Sequence, residues 1–432
     1  MHVSSQDPIS KRIKEMRLQR GLSQAQLAHP ELSDSYISLI ESGSRKPTPA
    51  VLELLASKLG CSVSYLLHGV TAEELEDLEL NLRYARLALD NGEVMEARRR
   101  YAELLDNPNI SQLPTHRQEA EYGMALATEA CGDLDEAIAI LRRIQDTAGD
   151  SLTRERRIAI AIALCRCYRQ RGDLTMAVDV AEETMSAMSE QGWTDDLVEL
   201  GATLLSAYLE RGDLLRAHHF SSQLMEAAEK LGSPRAIVAA SWNAATAADL
   251  SGRGEEAVPL AERALAVQSE TGEPRNLARL RVDYAFIRLR TRPHEAAVCR
   301  EILLRAEREL GESAASTVDL ADCLLHLAHA EITLGRAEEA VDYATRALGL
   351  LDDTTPDLRA DVHLMRGHAY LLLGRRAEAL TDINEAEKLL NRLPSSRITA
   401  ETWMAAAALL EELAEPERSI LAYQRAMECG GL

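Results

Sequence analysis

The sequence predicts an all-α chain in two parts: a five-helix N-terminal domain over residues 1–70, then a solenoid of about nine helical hairpins over residues 71–432. Three observations predict it. Apolar residues in the first 70 positions recur at helical spacing between short breaks. Glycines at 92, 132, 172, 212 and 252 stand 40 residues apart, each followed five residues later by Ala97, Ala137, Ala177, Ala217 or Ala257. Charge divides along the same line, residues 1–70 carrying +2 and the rest −23 of a total of −21. With 46% apolar residues, the 432-residue chain can bury a large core without disulfides or metals. A uniformly basic nucleic-acid binder is excluded, and any polyanion should meet the small domain and avoid the large one.

In the small domain the breaks fall at Gly21, Pro30, Gly43 with Pro47, and Gly60. The helix starts carry capping residues: Ser23 with Gln26 as a capping box, Ser33 before Asp34, Thr48 before Pro49, and Ser62. Ile13, Met16, Leu27, Ile37, Ile40, Leu52, Leu55, Leu59 and Leu66 form the expected core. Gly69 ends the fifth helix, and Thr71 with Glu74 caps the next, so the junction at residue 70 has almost no slack. A shape change in one part can then be felt by the other.

The runs Gly21-Leu22-Ser23-Gln24-Ala25-Gln26-Leu27-Ala28 and Leu32-Ser33-Asp34-Ser35-Tyr36-Ile37-Ser38-Leu39-Ile40-Glu41-Ser42-Gly43, with Ser62 to Gly69 at the end, closely resemble the Xre-type helix-turn-helix family of phage repressors. The resemblance covers the whole small domain. It implies that the helix after Ser33 enters the DNA major groove, with Asp34, Ser35 and Ser38 at base edges and Gln24, Ser33, Tyr36, Arg45 and Lys46 along the interface, largely at phosphates. Tyr36 has the alternative of packing only. Arg17 and Glu41 match a family pair that ties the first and third helices together. The turn His29-Pro30-Glu31 departs from the family, being about one residue shorter and lacking its glycine. A carboxylate at Asp34 is repelled by phosphates, and its best partner is a cytosine amino group.

In the second part the 40-residue interval continues less regularly through Arg292 with Ala297, Gly335 with Ala340, Gly374 with Ala379, and Ala414 with Ser419. A small residue stands seven positions before the break at Ala85, Ala125, Cys165, Ala245, Ala285, Ala328, Gly367 and Ala407, Leu205 being the exception. Small residues at a fixed phase let paired helices approach closely. The segments 132–137, 335–340 and 423–427 resemble an elongated tetratricopeptide repeat. That resemblance implies that the first helix of each pair lines a concave surface, where Arg166, Thr203, Ser206, Asn243, Thr246, Arg279 and Asp283 become the candidate ligand-binding residues, with Glu199 beside them. These positions are polar without a single sign. They suit an extended peptide, Asn243 above all because its amide both donates and accepts, or they are simply solvated faces.

No chemistry beyond binding emerges. His326, His329 and His368, with Asp322 and Asp361, gather near the seventh and eighth hairpins but in uncertain register, and no metal is assigned there. His294-Glu295-Ala296-Ala297-Val298 stops short of a zinc-protease pattern, and the absence of any Gly-Lys pair excludes a Walker loop. No catalytic residue and no cofactor are expected. The seven scattered cysteines, the lack of an apolar stretch of membrane-spanning length and the polar start give the expectation of a reduced, cytoplasmic protein that meets no membrane.

The order of the two modules is similar to the RRNPP group of peptide-sensing bacterial regulators. That resemblance implies a quorum-sensing type of transcriptional regulator that binds double-stranded DNA at a near-palindromic operator as a homodimer and responds to a peptide or small-molecule ligand. The alternative is an interaction scaffold in which the solenoid docks a partner protein. For the dimer contact, Trp403, Met404, Leu409 and Leu410 of the last hairpin offer the candidate apolar surface.

Overall fold

The computed structural model describes residues 8–149, 152–188, 192–271, 274–312, 316–353 and 355–430. Among these there is no strand. The first five helices are α1 (Pro8–Gln19), α2 (Gln24–Ala28), α3 (Asp34–Glu41), α4 (Pro49–Leu59) and α5 (Val63–His68). Among the described residues, eighteen longer α-helices follow along the chain, in the first unit and then the second: α6 (Ala72–Asp90), α7 (Val94–Asp106), α8 (Pro114–Ala130), α9 (Leu134–Ala148), α10 (Arg154–Arg171), α11 (Leu174–Met188), α12 (Asp195–Arg211) and α13 (Leu214–Leu231). The remaining ones are α14 (Pro234–Leu250), α15 (Gly254–Thr271), α16 (Pro274–Thr291), α17 (Ala296–Glu312), α18 (Thr317–Thr333), α19 (Ala337–Leu350), α20 (Pro356–Leu372), α21 (Arg376–Leu390), α22 (Arg397–Glu412) and α23 (Pro416–Gly430). The chain divides into two compact units, Met1–Cys131 and Gly132–Leu432.

In the first unit the small domain is built on the expected core, Ile13, Leu27, Ile37, Ile40, Leu55, Leu59 and Leu66 being fully buried while Met16 packs at its edge. The side chains of Ser23, Ser33 and Ser62 accept the N–H of Gln26, Tyr36 and Tyr65. Thr48 makes no side-chain cap. There Pro49 at the first helical position starts the helix, its φ preset and its missing N–H not needed. The Arg17 guanidinium grips Glu41 through Nε to Oε1 at 2.6 Å and Nη2 to Oε2 at 3.0 Å, and its Nη1 donates to the Leu22 carbonyl.

The short turn after α2 is held from outside the motif. Lys58 Nζ on α4 donates to the carbonyls of Leu27, Ala28 and His29 at 2.7–3.3 Å and pairs with Glu31. One lysine thus adds a donor to the carbonyls that end α2 and to that of His29 beyond it, and holds the turn that sets the angle of α3.

The small domain joins the first hairpin without a free linker. Val70 is fully buried with Leu78, Leu82 and Ala85 of α6, and Thr71 with Glu74 forms the expected capping box. Arg12 on α1 donates to the Leu67 carbonyl at 2.6 Å and to Gln112 at 3.3 Å. Gly69 turns the chain at φ 80°, and a Cβ there would lie 2.9 Å from Arg12 Nε, so both the backbone and this contact require glycine.

In the hairpins every residue expected to sit seven positions before the break is buried, including Leu205. The alanines after the break are buried with one exception. Ala297 is exposed and Ala296 takes its place, because a 3-10 turn at Pro293–Glu295 replaces the glycine turn and advances the register by one. The last hairpin also differs from expectation. Trp403, Leu409 and Leu410 lie in the core, since α22 buries that face between α20 and α23, and only Met404 of the four is exposed. Besides Met404, the exposed apolar residues of this hairpin are Ile398 on α22 and Ile420, Leu421 and Met427 on α23.

Within the second unit the last hairpin folds back on earlier ones. Helix α22 touches α12, Arg397 Nη2 donates to the Leu250 carbonyl at the end of α14 at 2.7 Å, and Pro394 approaches the turn after α10. Gly172 in that turn has φ +84°, and a Cβ there would stand 2.4 Å from the Pro394 Cβ.

Candidate functional site

The first candidate site is the outer face of α3. Asp34, Ser35 and Ser38 are exposed, whereas Ile37, Ile40 and Glu41 on the opposite face are buried. The Ser33 hydroxyl already accepts the Tyr36 N–H at 3.2 Å as the helix cap. Gln24 donates through Nε2 to Glu41 Oε2 at 2.8 Å, which joins it to the buried pair. Tyr36 is half-buried against the core with the Arg45 guanidinium 5.0 Å from its ring centre, and Lys46 beside it is exposed. Burial opposes the charge on Glu41, but the hydrogen bonds from Arg17 and Gln24 outweigh it and hold its pKa below the usual carboxylate range.

The basic side chains of this domain separate by role. Arg12, Arg17, Arg20 and Lys58 donate to backbone carbonyls or to a buried carboxylate, so they serve the fold. Arg45 and Lys46 stand exposed just after α3, next to its polar face. Sequence reasoning assigned Arg17 to the Glu41 pair and Arg45 and Lys46 to the interface, but left Arg12, Arg20 and Lys58 only as part of the local +2 charge. It also missed the Lys58 clamp, whose acceptors lie about thirty positions away along the chain.

The second candidate site runs over the first helices of the second unit. Ser206 Oγ and Asn243 Oδ1 meet across neighbouring hairpins at 3.1 Å, and Asn243 Nδ2 donates to the Ala239 carbonyl of its own helix at 2.9 Å. Thr203 and Thr246 return their hydroxyls to the carbonyls four residues back. Arg166 is half-buried on α10, apart from the cavities described below. Arg279 and Asp283 line a cavity of about 680 Å³ together with Glu199, Arg235 and Trp242. Arg279 Nε also pairs with Asp319 at 3.2 Å.

Asp283 and Arg279 continue into a smaller acidic hollow with Asp319, Asp322, Asp357 and Asp361. Burial, with Asp322 adding to it, pushes the Asp283 carboxyl up to about 7. A raised carboxyl pKa means that the fold penalises the ionised form, and this penalty grows as pH rises from about 4, the unfolded value, and is complete above about 7. Asp283→Asn is therefore expected to stabilise the protein by about 1–2 kcal/mol at pH 8 and by clearly less at pH 5. Thermal melts of the full chain at the two pH values check this, and an equal gain at both would contradict it.

The histidines singled out in the sequence do converge. His326, His329 and His368 line a third cavity, about 620 Å³, with Phe286, Arg290 and Asp361. Among the described residues no group of three or more His, Cys, Asp or Glu side chains is placed to hold a metal ion. Nor is any helix among them long and apolar enough to cross a membrane.

Comparison with known proteins places both parts. A helix-turn-helix family model matches residues 13–66, and a tetratricopeptide-repeat model matches residues 321–350 and 360–389. Over 114 residues the chain is 32% identical to the immunity repressor protein of Bacillus phage phi105, a match that covers 26% of this chain and 77% of the repressor. Among solved structures, a Rap protein complexed with competence and sporulation factor superposes with a TM-score of 0.54 at 13% identity, covering 82% of this chain and 98% of that one. The apo form of the quorum sensor NprR from B. thuringiensis gives a TM-score of 0.51 at 14% identity, covering 82% and 99%. These two are likenesses of fold. With the small domain matched by the family model and by the repressor, and helical repeats behind it, the chain belongs to the Xre-type helix-turn-helix family and carries a tetratricopeptide-repeat solenoid.

Proposed function

We propose that this protein is a sequence-specific transcriptional regulator that binds DNA through residues 1–70 and whose operator binding responds to a ligand, a short peptide, held by residues 71–432. The observation that carries this is α3, a helix with exposed Asp34, Ser35 and Ser38, an apolar seat braced by the Arg17–Glu41 pair, and Arg45 and Lys46 at its end. A helix so mounted reads base edges from the major groove while neighbouring cations hold phosphates. One such helix reads a half-site. A homodimer on a near-palindromic operator, with half-sites about 34 Å apart, supplies the second. The exposed Ile420, Leu421 and Met427 on α23 are the apolar surface we assign to that dimer.

Polar first helices support the peptide reading. Asn243 uses one N–H and one acceptor position within the protein, and an amide has a further N–H and a further lone pair to offer a backbone running past it. Thr203 and Thr246 stand at neighbouring positions, and Arg166, Arg279 and Asp283 select charge. Because Val70 packs on α6 and Arg12 reaches Gln112 just after α7, displacement of that first hairpin carries the small domain and α3 with it. The ligand must bind two shapes of the solenoid unequally for operator affinity to change.

Asn243→Ala tests the reading. Ser206 keeps its bond to the Ala202 carbonyl, so stability and ligand-free DNA affinity should stay near those of the parent. The response of operator affinity to the low-mass peptide fraction of culture medium should be lost. A variant that still responds normally would move the sensor site elsewhere.

A further inference from the structure

The cavity at the histidines is formed by one face from each of five helices. Thr246 and Leu250 come from α14, Phe286 and Arg290 from α16, and Leu325, His326 and His329 from α18. Helix α20 adds Asp361, Met365 and His368 at a spacing of four and three, and α22 presents a continuous stripe from Ile398 to Glu412. The return of the last hairpin, fastened by Arg397 to the Leu250 carbonyl, brings α22 against the end of α14 and walls off the space. Its volume of about 620 Å³ is that of a small-molecule site.

The walls are apolar and aromatic, and the polar groups on them are unevenly matched. The Phe286 ring lies 4.4 Å from the His326 ring, centre to centre, and has the Arg290 guanidinium 5.4 Å from its own ring centre. Arg290 is already engaged by buried Asp249 at 3.5 Å, and Arg397 by Glu401 at 3.1 Å. His326 pairs with Asp322. Asp361 accepts a hydrogen bond from Thr402 at 3.0 Å, but among the described residues neither Asp361 nor Glu412 has a cationic side chain in ion-pair contact. The acidic side chains Asp283, Asp319, Asp322 and Asp357 lie just beyond Asp361, Asp319 being paired with Arg275 and Arg279 and Asp322 with His326. The protein therefore offers a half-enclosed apolar space with a carboxylate in its wall that, among the described residues, no cationic side chain contacts as an ion pair; His326, whose charged form Asp361 helps to favour, pairs with Asp322 instead.

We propose that this cavity is a binding site for a compact ligand joining an ammonium group to an apolar or aromatic body, the ammonium at Asp361 and the body against Phe286, Leu325 and Met365. The site does not rest on Asn243 or on DNA binding. Burial pushes the Asp361 carboxyl up to about 7, so it is only partly ionised near neutrality, and an arriving ammonium would draw it fully into the charged form. His329, held neutral by burial and by its neighbours His326, His368 and Arg290 with its pKa down to about 4, adds no competing charge. Anionic ligands of the same shape meet Asp361 and Glu412, while Arg290 in the wall is already taken by Asp249, and are disfavoured. Two sources share this chemistry: a free aromatic amine, and the amino end of a peptide that begins with an apolar residue.

Titration calorimetry on the full chain with phenethylamine, phenylalanyl-leucine amide and their N-acetylated forms tests the proposal. At least one free amine should bind, with its acetylated form at least tenfold weaker. Binding of phenethylamine only identifies the small amine as the source, and binding of the dipeptide amide identifies the peptide's amino end. Asp361→Asn, which keeps the Thr402 contact, should weaken the amine at least tenfold. Met365→Trp and Ala405→Leu, which fill the space from opposite walls, should each remove binding, while Leu215→Ala on the exposed side of α13 should leave it unchanged. Melting curves of each variant identify any that fails to fold, and the second filling variant then decides. Failure of both amines to bind, equal binding of acetylated and free forms, or undiminished binding to a folded filled variant would overturn the proposal.

Discussion

Glu41→Ala is expected to unfold the small domain and abolish operator binding. The substitution leaves the Arg17 guanidinium, 8% exposed, without its carboxylate and strips Gln24 Nε2 of its acceptor. Removing one partner of a buried pair costs about 3–5 kcal/mol, because the charge left behind is neither solvated nor matched. A domain with a core of this size has a total stability of the same order. The loss should appear as an early transition in denaturant, with the second unit melting as before. Replacing both partners by apolar residues of similar volume, Arg17→Met with Glu41→Leu, should recover most of the stability, since the cost lies in the orphaned charge and not in the missing attraction. A Glu41→Ala protein as stable as its parent would show that Arg17 reaches water after all.

The double replacement of Arg45 and Lys46 by alanine is expected to lower affinity for every DNA sequence by about tenfold or more and to reduce the salt dependence of binding by close to two counterions. Both side chains are exposed beside the polar face of α3, whereas Arg12, Arg17, Arg20 and Lys58 are occupied in holding the domain together and Lys11 pairs with Glu15 on α1. In a chain of net charge −21 these two carry much of the attraction to phosphate. Ser35→Ala should behave differently, shifting the preferred sequence while leaving the salt slope unchanged, because a base-edge contact releases no counterion. Binding titrations from low to moderate salt on matched and scrambled operators separate the two effects. An unchanged slope in the double variant would remove Arg45 and Lys46 from the phosphate interface.

Features written in short-range chemistry were legible in the chain alone. Serine caps, glycine turns and the helical spacing of Ile37 and Ile40 act within one or two turns of chain, so five short helices and the succession of longer helices behind them could be read with most of their alanines in phase. Where a local signal failed, the register slipped, as at Ala297, because a 3-10 turn replaces a glycine and only packing against the neighbouring helix selects Ala296. Tertiary structure decided whatever depends on distant partners. Lys58 clamps the turn before α3 from another helix, Asn243 and Ser206 meet from separate hairpins, and Trp403, Leu409 and Leu410 are buried where a terminal helix pair could have exposed them. The same reason applies to the histidine cavity. Each wall is an ordinary amphipathic stripe in sequence, and it became a site only when the return of α22 onto α14 closed five stripes around one volume.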